Sequence, residues 1–188
     1  RNWARGEPKA GRPFSFVPMT QDKVWILPHV DDVATALAKA VFVQLGYECI
    51  LAEETPESIF RGLKLVGGGE CVPTAAVLGG IVETVEKHQL DPRKTAAVIP
   101  TSMLSCNFPQ IPLAVHSGLQ KIGLGDVEIF STAVAGRDFS LSLNVALLKA
   151  YVMASLIHQM TAKVRAYEVN KGDAENARKA ALEKLSRA

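Results

Sequence analysis

The sequence predicts an α/β fold: an open, mainly parallel four-stranded sheet of the flavodoxin or Rossmann kind, with helices on both faces and further helices at the C-terminus. Two observations predict it. Four short apolar runs, each ended by Pro, Gly or polar residues, alternate with segments of helical periodicity, the order that builds a parallel sheet. The runs are mainly apolar rather than strictly alternating, as suits strands covered on both faces.

Residues 1–22 are rich in Gly, Pro, Arg and Lys and read as an extended arm. Lys23–Leu27 is the first strand, stopped by Pro28. Asp31 or Asp32 caps a helix to about Leu45, with Val33, Leu37, Ala40, Val41 and Leu45 on its inner face and Gly46 closing it. Tyr47–Leu51 is the second strand, and Pro56 opens a short helix over Glu57–Leu65. The loop Gly67-Gly68-Gly69-Glu70-Cys71-Val72 feeds a helix from about Pro73 to His88. Thr95–Ile99 is the third strand, followed by the loop 101–109 and a helix to Ile122. Asp126–Ser131 is the fourth. Residues 23–140 make the α/β domain. Residues 141–188 make a helical segment that packs on this domain or on a partner.

Composition narrows the function. At 188 residues, 48% apolar and 21% charged, the chain is long enough to bury a core and ordinary for a globular protein. A net charge of +2, with basic and acidic residues interspersed, leaves no footprint for nucleic acid. Charged residues and Pro interrupt the longest apolar stretches, so no membrane span is expected. Three cysteines suit a reducing compartment better than a disulfide framework, and a cytoplasmic location is expected. The first residue is Arg1 rather than Met, which suggests a trimmed chain or a piece of a longer one.

In parallel sheets, functional groups gather beyond the carboxyl ends of the strands. The sequence directs three loops there: Pro28–Asp32, Thr101–Phe108 and the Gly67–Val72 loop. Cys71 and Cys106 each stand just ahead of a helix start, where free amides and the positive dipole end stabilise a thiolate. Gly67, Gly68 and Gly69 allow close backbone approach to a bulky inorganic ligand or a phosphate. Cys49, inside a strand, reads as a small apolar core residue. No Cys-x-x-Cys spacing is present, so zinc-ribbon and thioredoxin chemistry are unsupported. The glycine run follows a helix rather than a strand and is no dinucleotide fingerprint. Of the four histidines only His29 is placed near the crevice, and no Ser-His-Asp arrangement can be argued.

Several motifs resemble one family in order. Gly69-Glu70-Cys71-Val72-Pro73, with Gly79-Gly80 behind it, resembles the Gly-Lys-Glu-Cys-x-Pro…Gly-Asp motif of acyl-CoA dehydratase activase-related proteins, relatives of 2-hydroxyacyl-CoA dehydratase and benzoyl-CoA reductase components. The segment 100–110, Pro-Thr-Ser-Met-Leu-Ser-Cys-Asn-Phe-Pro-Gln, is similar to that family's Met-Pro-Thr…Pro-Cys-Arg-Phe-Gly-Gln-Tyr loop, with Asn107, Pro109 and Ile111 standing where the family has Arg, Gly and Tyr. Segment 123–131 resembles its Leu-Gly…Asp-Val-x-Ile-x-Ser strand. Tyr167-Glu168-Val169-Asn170-Lys171-Gly172 is similar to its Tyr-Glu-x-Asn-x-Gly signature. The resemblance implies an iron–sulfur cluster, of 4Fe-4S type, with Cys71 and Cys106 as ligands. It also implies a further domain or subunit supplying the other ligands, an actin-like ATPase activase as partner, and a dimer or larger complex. The implied function is electron transfer in an anaerobic, ATP-driven oxidoreductase or acyl-CoA dehydratase system. The alternative is a structural or assembly domain of the same fold that has lost the cluster.

Overall fold

A computed structural model describes residues 19–29, 31–99, 106–131 and 141–187. Two compact units emerge, one of Arg1–His29 with Tyr47–Phe139, the other of Val30–Gly46 with Ser140–Ala188. The predicted α/β class is what the chain adopts. The first unit holds the sheet, the second is helical.

The strands are β1 (Val24–Leu27), β2 (Glu48–Leu51), β3 (Thr95–Ile99) and β4 (Glu128–Ser131). They lie in the order β2-β1-β3-β4, all parallel, with Ile26 opposite Ile50 on one side and Ala97 on the other. The order reverses direction between β1 and β3, which makes the loops leaving those two strands the topological switch point. Part of that switch, residues 100–105, lies outside the described residues. So do residues 1–18 of the expected arm, while Thr20 accepts a hydrogen bond from the Trp25 indole at 2.8 Å.

Centrality governs burial. All five residues of β3 are buried, whereas Ile50 and Val24 are half-buried, because β2 is an edge strand and Val24 stands at the amino end of β1. Ile26, Ala97, Ile99 and Ile129 of the sheet pack with Leu78, Ile81, Val82 and Val85 of α3 (Val72–Lys87) and with Val115 and Leu119 of α4 (Ile111–Lys121). Trp25 and Phe130 meet edge to face at 5.9 Å between ring centres. Helix α2 (Pro56–Leu65) opens with Thr55 and Ser58 in a reciprocal capping box.

The second unit consists of α1 (Asp32–Gln44), α5 (Leu141–Arg165) and α6 (Asp173–Arg187). Its core joins Val33 and Leu37 of α1 to Ala150 and Ala154 of α5, flanked by Leu182 and Leu185 of α6. Helix α1 joins this unit from far earlier in the chain. Its small and branched residues fit against the alanines of α5, so it groups with the C-terminal helices.

Helix α5 is long and apolar enough to cross a membrane by length and composition. One face of it packs within the helical unit, with Ala150 and Ala154 on α1 and His158 bonding Asp31 at 2.9 Å, while most of its other residues are exposed.

Candidate functional site

Helix direction decides where the two candidate thiols stand. A Cβ on Gly62 would come within 1.9 Å of the Ala75 carbonyl oxygen, and one on Gly79 within 1.8 Å of that of Ser58. Residue 58 thus faces 79 and residue 62 faces 75, so α2 and α3 form an antiparallel hairpin with backbones in contact. The Glu53 amide, just past the carboxyl end of β2, donates to Thr84 Oγ1 at 2.9 Å. Helix α3 therefore runs toward that end of the sheet, and Cys71, its N-cap, occupies the opposite end of the helix. At the α-helical rise the separation from Thr84 is about 20 Å.

Cys106 belongs to the chain that leaves the carboxyl end of β3 and precedes a single 3₁₀ turn, Phe108–Gln110, before α4. Its sulfur is exposed and accepts a hydrogen bond from the Phe108 amide at 3.3 Å. Cys71 is exposed too, whereas Cys49 is buried in β2. At the far end of α4, the Lys121 ammonium donates to the Leu65 carbonyl at 2.9 Å, so the segment leading to Cys71 starts beside the end of α4 remote from Cys106. Among the described residues, neither thiol belongs to a group of three metal-ligating side chains. A four-iron cluster takes four ligands, mostly thiolates. The described donor set does not hold one by itself.

The glycine loop has its own occupant. The Glu70 carboxylate turns back on the loop and accepts from the Gly69 amide at 3.1 Å. Hydrogen bonds from the backbone of Gly67 and Glu70, with lesser ones from Gly68 and Gly69, hold that carboxyl below its ordinary range against the opposing effect of burial. The amides expected to cradle a ligand are thus directed at an internal anion. Gly68, at φ +92°, supplies the left-handed turn that permits it.

One cluster of potential ligands was not visible in the sequence: Asp31, Asp32 and His158, whose donor atoms lie within 4.8 Å of one another. Each is already engaged. Asp31 Oδ1 accepts from the amides of Ala34 at 2.8 Å and Val33 at 3.0 Å, capping α1, and meets His158 Nε2 at 2.9 Å. Burial pushes the Asp31 carboxyl up, but these bonds outweigh it and leave it below the ordinary carboxylate range. The Asp32 carboxylate meets the Arg178 guanidinium at 2.5 Å, and Glu175 grips the same guanidinium from α6. A metal ion would have to displace a guanidinium that two carboxylates hold. The cluster is a helix cap joined to an ion-pair network. A separation of 127 residues between Asp31 and His158 left no local signal of it.

No family model, curated protein or solved structure matches the chain. Its functional reading rests on its own residues and on the motif resemblance. One of those motifs has a clear structural role: Glu168 accepts from the amides of Gly172 at 3.0 Å and Ala174 at 3.1 Å, and Asn170 Nδ2 donates to Asp173. Tyr167–Gly172 is the device that turns α5 into α6, with Gly172 at φ +104°.

Proposed function

We propose that this chain lends thiolate ligands to an iron–sulfur cluster completed by a further domain or subunit, within an ATP-driven electron-transfer system of the kind the motif resemblance implies. The observation that carries the reading is Cys106: an exposed sulfur, ahead of the short turn that leads into α4, that already accepts a backbone N–H. Such N–H···S bonds stabilise cluster sulfurs and tune their potential. Cys71 is the second candidate, presented by the Gly67–Glu70 loop. The incomplete donor set is the reason the reading requires outside ligands.

The second reading, an assembly domain without a cluster, is favoured by the placement of Cys71 away from the carboxyl end of β2 and by Glu70 filling the amides of its loop. Anaerobic reconstitution with iron and sulfide, followed by iron analysis and low-temperature electron paramagnetic resonance, separates the two. Under the first reading the chain alone binds little iron, a labile cluster signal develops only with added exogenous thiol, and Cys106→Ser abolishes it. Cys71→Ser weakens it if both thiols serve the same cluster. Iron retention that is indifferent to both substitutions would leave the assembly reading standing.

A further inference from the structure

Helices α3 and α4 meet where a glycine makes room for a leucine. A Cβ on Gly118 would come within 2.4 Å of the Leu78 side chain, so these two residues lie directly against each other. The helices pass that point in opposite senses. Helix α3 runs toward the carboxyl end of β2, where Thr84 meets the Glu53 amide, while α4 starts from the chain leaving the carboxyl end of β3 and leads to the amino end of β4. Cys71 lies seven residues before Leu78, and Ile111 lies seven residues before Gly118. At about 1.5 Å per residue each helix start stands about 10 Å from the crossing, on opposite sides of it, so the two starts are on the order of 20 Å apart. Asn107, Gln110 and Ile111 all keep right-handed helical backbone angles, so the path from Ile111 back to Cys106 leads further from the crossing. The bond from Lys121 to Leu65 agrees, since it sets the far end of α4 beside the segment that leads to Cys71.

We infer that Cys71 and Cys106 do not ligate the same cluster: one formed on Cys106 draws its remaining ligands from outside the chain and none from Cys71. The inference rests on the cluster reading proposed above and narrows it, against the pairing that the motif resemblance implies. The thiolates of a four-iron cluster surround one compact cube and stand far closer together than the starts of α3 and α4 do. Sliding α3 along α4 far enough to unite the two thiols would pull Leu78, which is fully buried, out of the space that Gly118 leaves for it. The outside ligands must therefore approach beyond the carboxyl end of β3, where Cys106 stands, and that is one side of the switch point in the strand order. Cys71, at the other end of this helix pair, is left out of that site.

The separation is measured without iron. The folded full chain is treated anaerobically with dibromobimane, which becomes fluorescent on bridging two neighbouring thiols, and peptide mapping assigns the products. Cys71 and Cys106 are both exposed, so each should be alkylated singly with no bridge between them. The same treatment in guanidinium, which frees the two segments, is the control. The consequence is measured with iron. Anaerobic reconstitution with iron, sulfide and exogenous thiol should give Cys71→Ser the same electron paramagnetic resonance signal as the parent chain, and Cys106→Ser none. A Cys71–Cys106 bridge in the folded chain would overturn the inference, as would a Cys71→Ser variant that loses the signal as Cys106→Ser does. Absence of any signal from the parent chain would sink the cluster reading instead, and the bridging result would still decide whether the two thiols stand apart.

Discussion

At the scale of single residues, Glu54 is the carboxyl, among the described residues, whose surroundings oppose its charge. It stands just past β2, and burial pushes its carboxyl above the ordinary range, with the His29 charge and backbone amide pulling partly back. A carboxyl raised in the folded state adds nothing against stability below its unfolded value near pH ~4.3. The cost enters as pH rises through the raised folded value, because the chain must then hold a charge that burial disfavours. Glu54→Gln keeps an acceptor for the His29 amide and removes the charge. The melting temperature of that variant should match the parent near pH 4 and exceed it by about a degree or two at pH 8. A variant less stable than the parent at pH 8 would show that the charge is better paired than its burial implies. Other residue roles were legible from sequence: Cys49 is a small core residue, and the cap of α1 is Asp31, one of the two aspartates the sequence offered for it. Glu70 and Glu168 were legible only as parts of motifs. That both fold back onto backbone amides depends on the path of the loop around them, which composition does not encode.

At the scale of elements, the strands and helices follow from apolar runs and stop signals almost residue for residue, since Pro28, Gly46, Pro56 and Gly123 punctuate the chain where elements end or begin. What those signals lack is direction. Two successive helices between β2 and β3 could stack in either sense, and only the glycine contacts of the α2–α3 hairpin fix it. That direction carries Cys71 away from the carboxyl end of β2, whereas the Gly67–Val72 loop was expected among those beyond the carboxyl ends of the strands. The hairpin yields a sharp test. Gly79→Ala puts a methyl group into the Ser58 carbonyl, so the helices must separate, at a cost of about 2–3 kcal/mol or more in chemical denaturation. Gly69→Ala meets nothing within 4 Å and is the matched control, with an effect expected below about 1 kcal/mol. In the sheet, Ile99 is 1% exposed at the end of the most buried strand, and Ile99→Ala should cost about 2–5 kcal/mol. A loss under 1 kcal/mol would mean that the core closes over the cavity far better than its packing suggests.

At the scale of the molecule, the helical unit is assembled from two stretches of chain that lie far apart in sequence, 30–46 and 140–188. Helix α1 depends on the later stretch for both its apolar and its polar partners. Val33 and Leu37 are covered by Ala150 and Ala154, Asp31 is bonded by His158, and Asp32 is held by Arg178. A chain cut after residue 140 would keep all four strands and α1 but leave that face of α1 bare. Exposing Val33 and Leu37 forfeits about 1.5–3 kcal/mol for each side chain, a large share of the few kcal/mol that hold a small domain together. Residues 1–140 alone should therefore bind a hydrophobic dye such as ANS several-fold more strongly than the full chain and lose a sharp thermal transition. The double variant Val33→Ser, Leu37→Ser in the same fragment should lower the dye signal, because it removes the surface that the dye binds. A fragment that melts as sharply and as high as the full chain would show that α1 needs neither α5 nor α6.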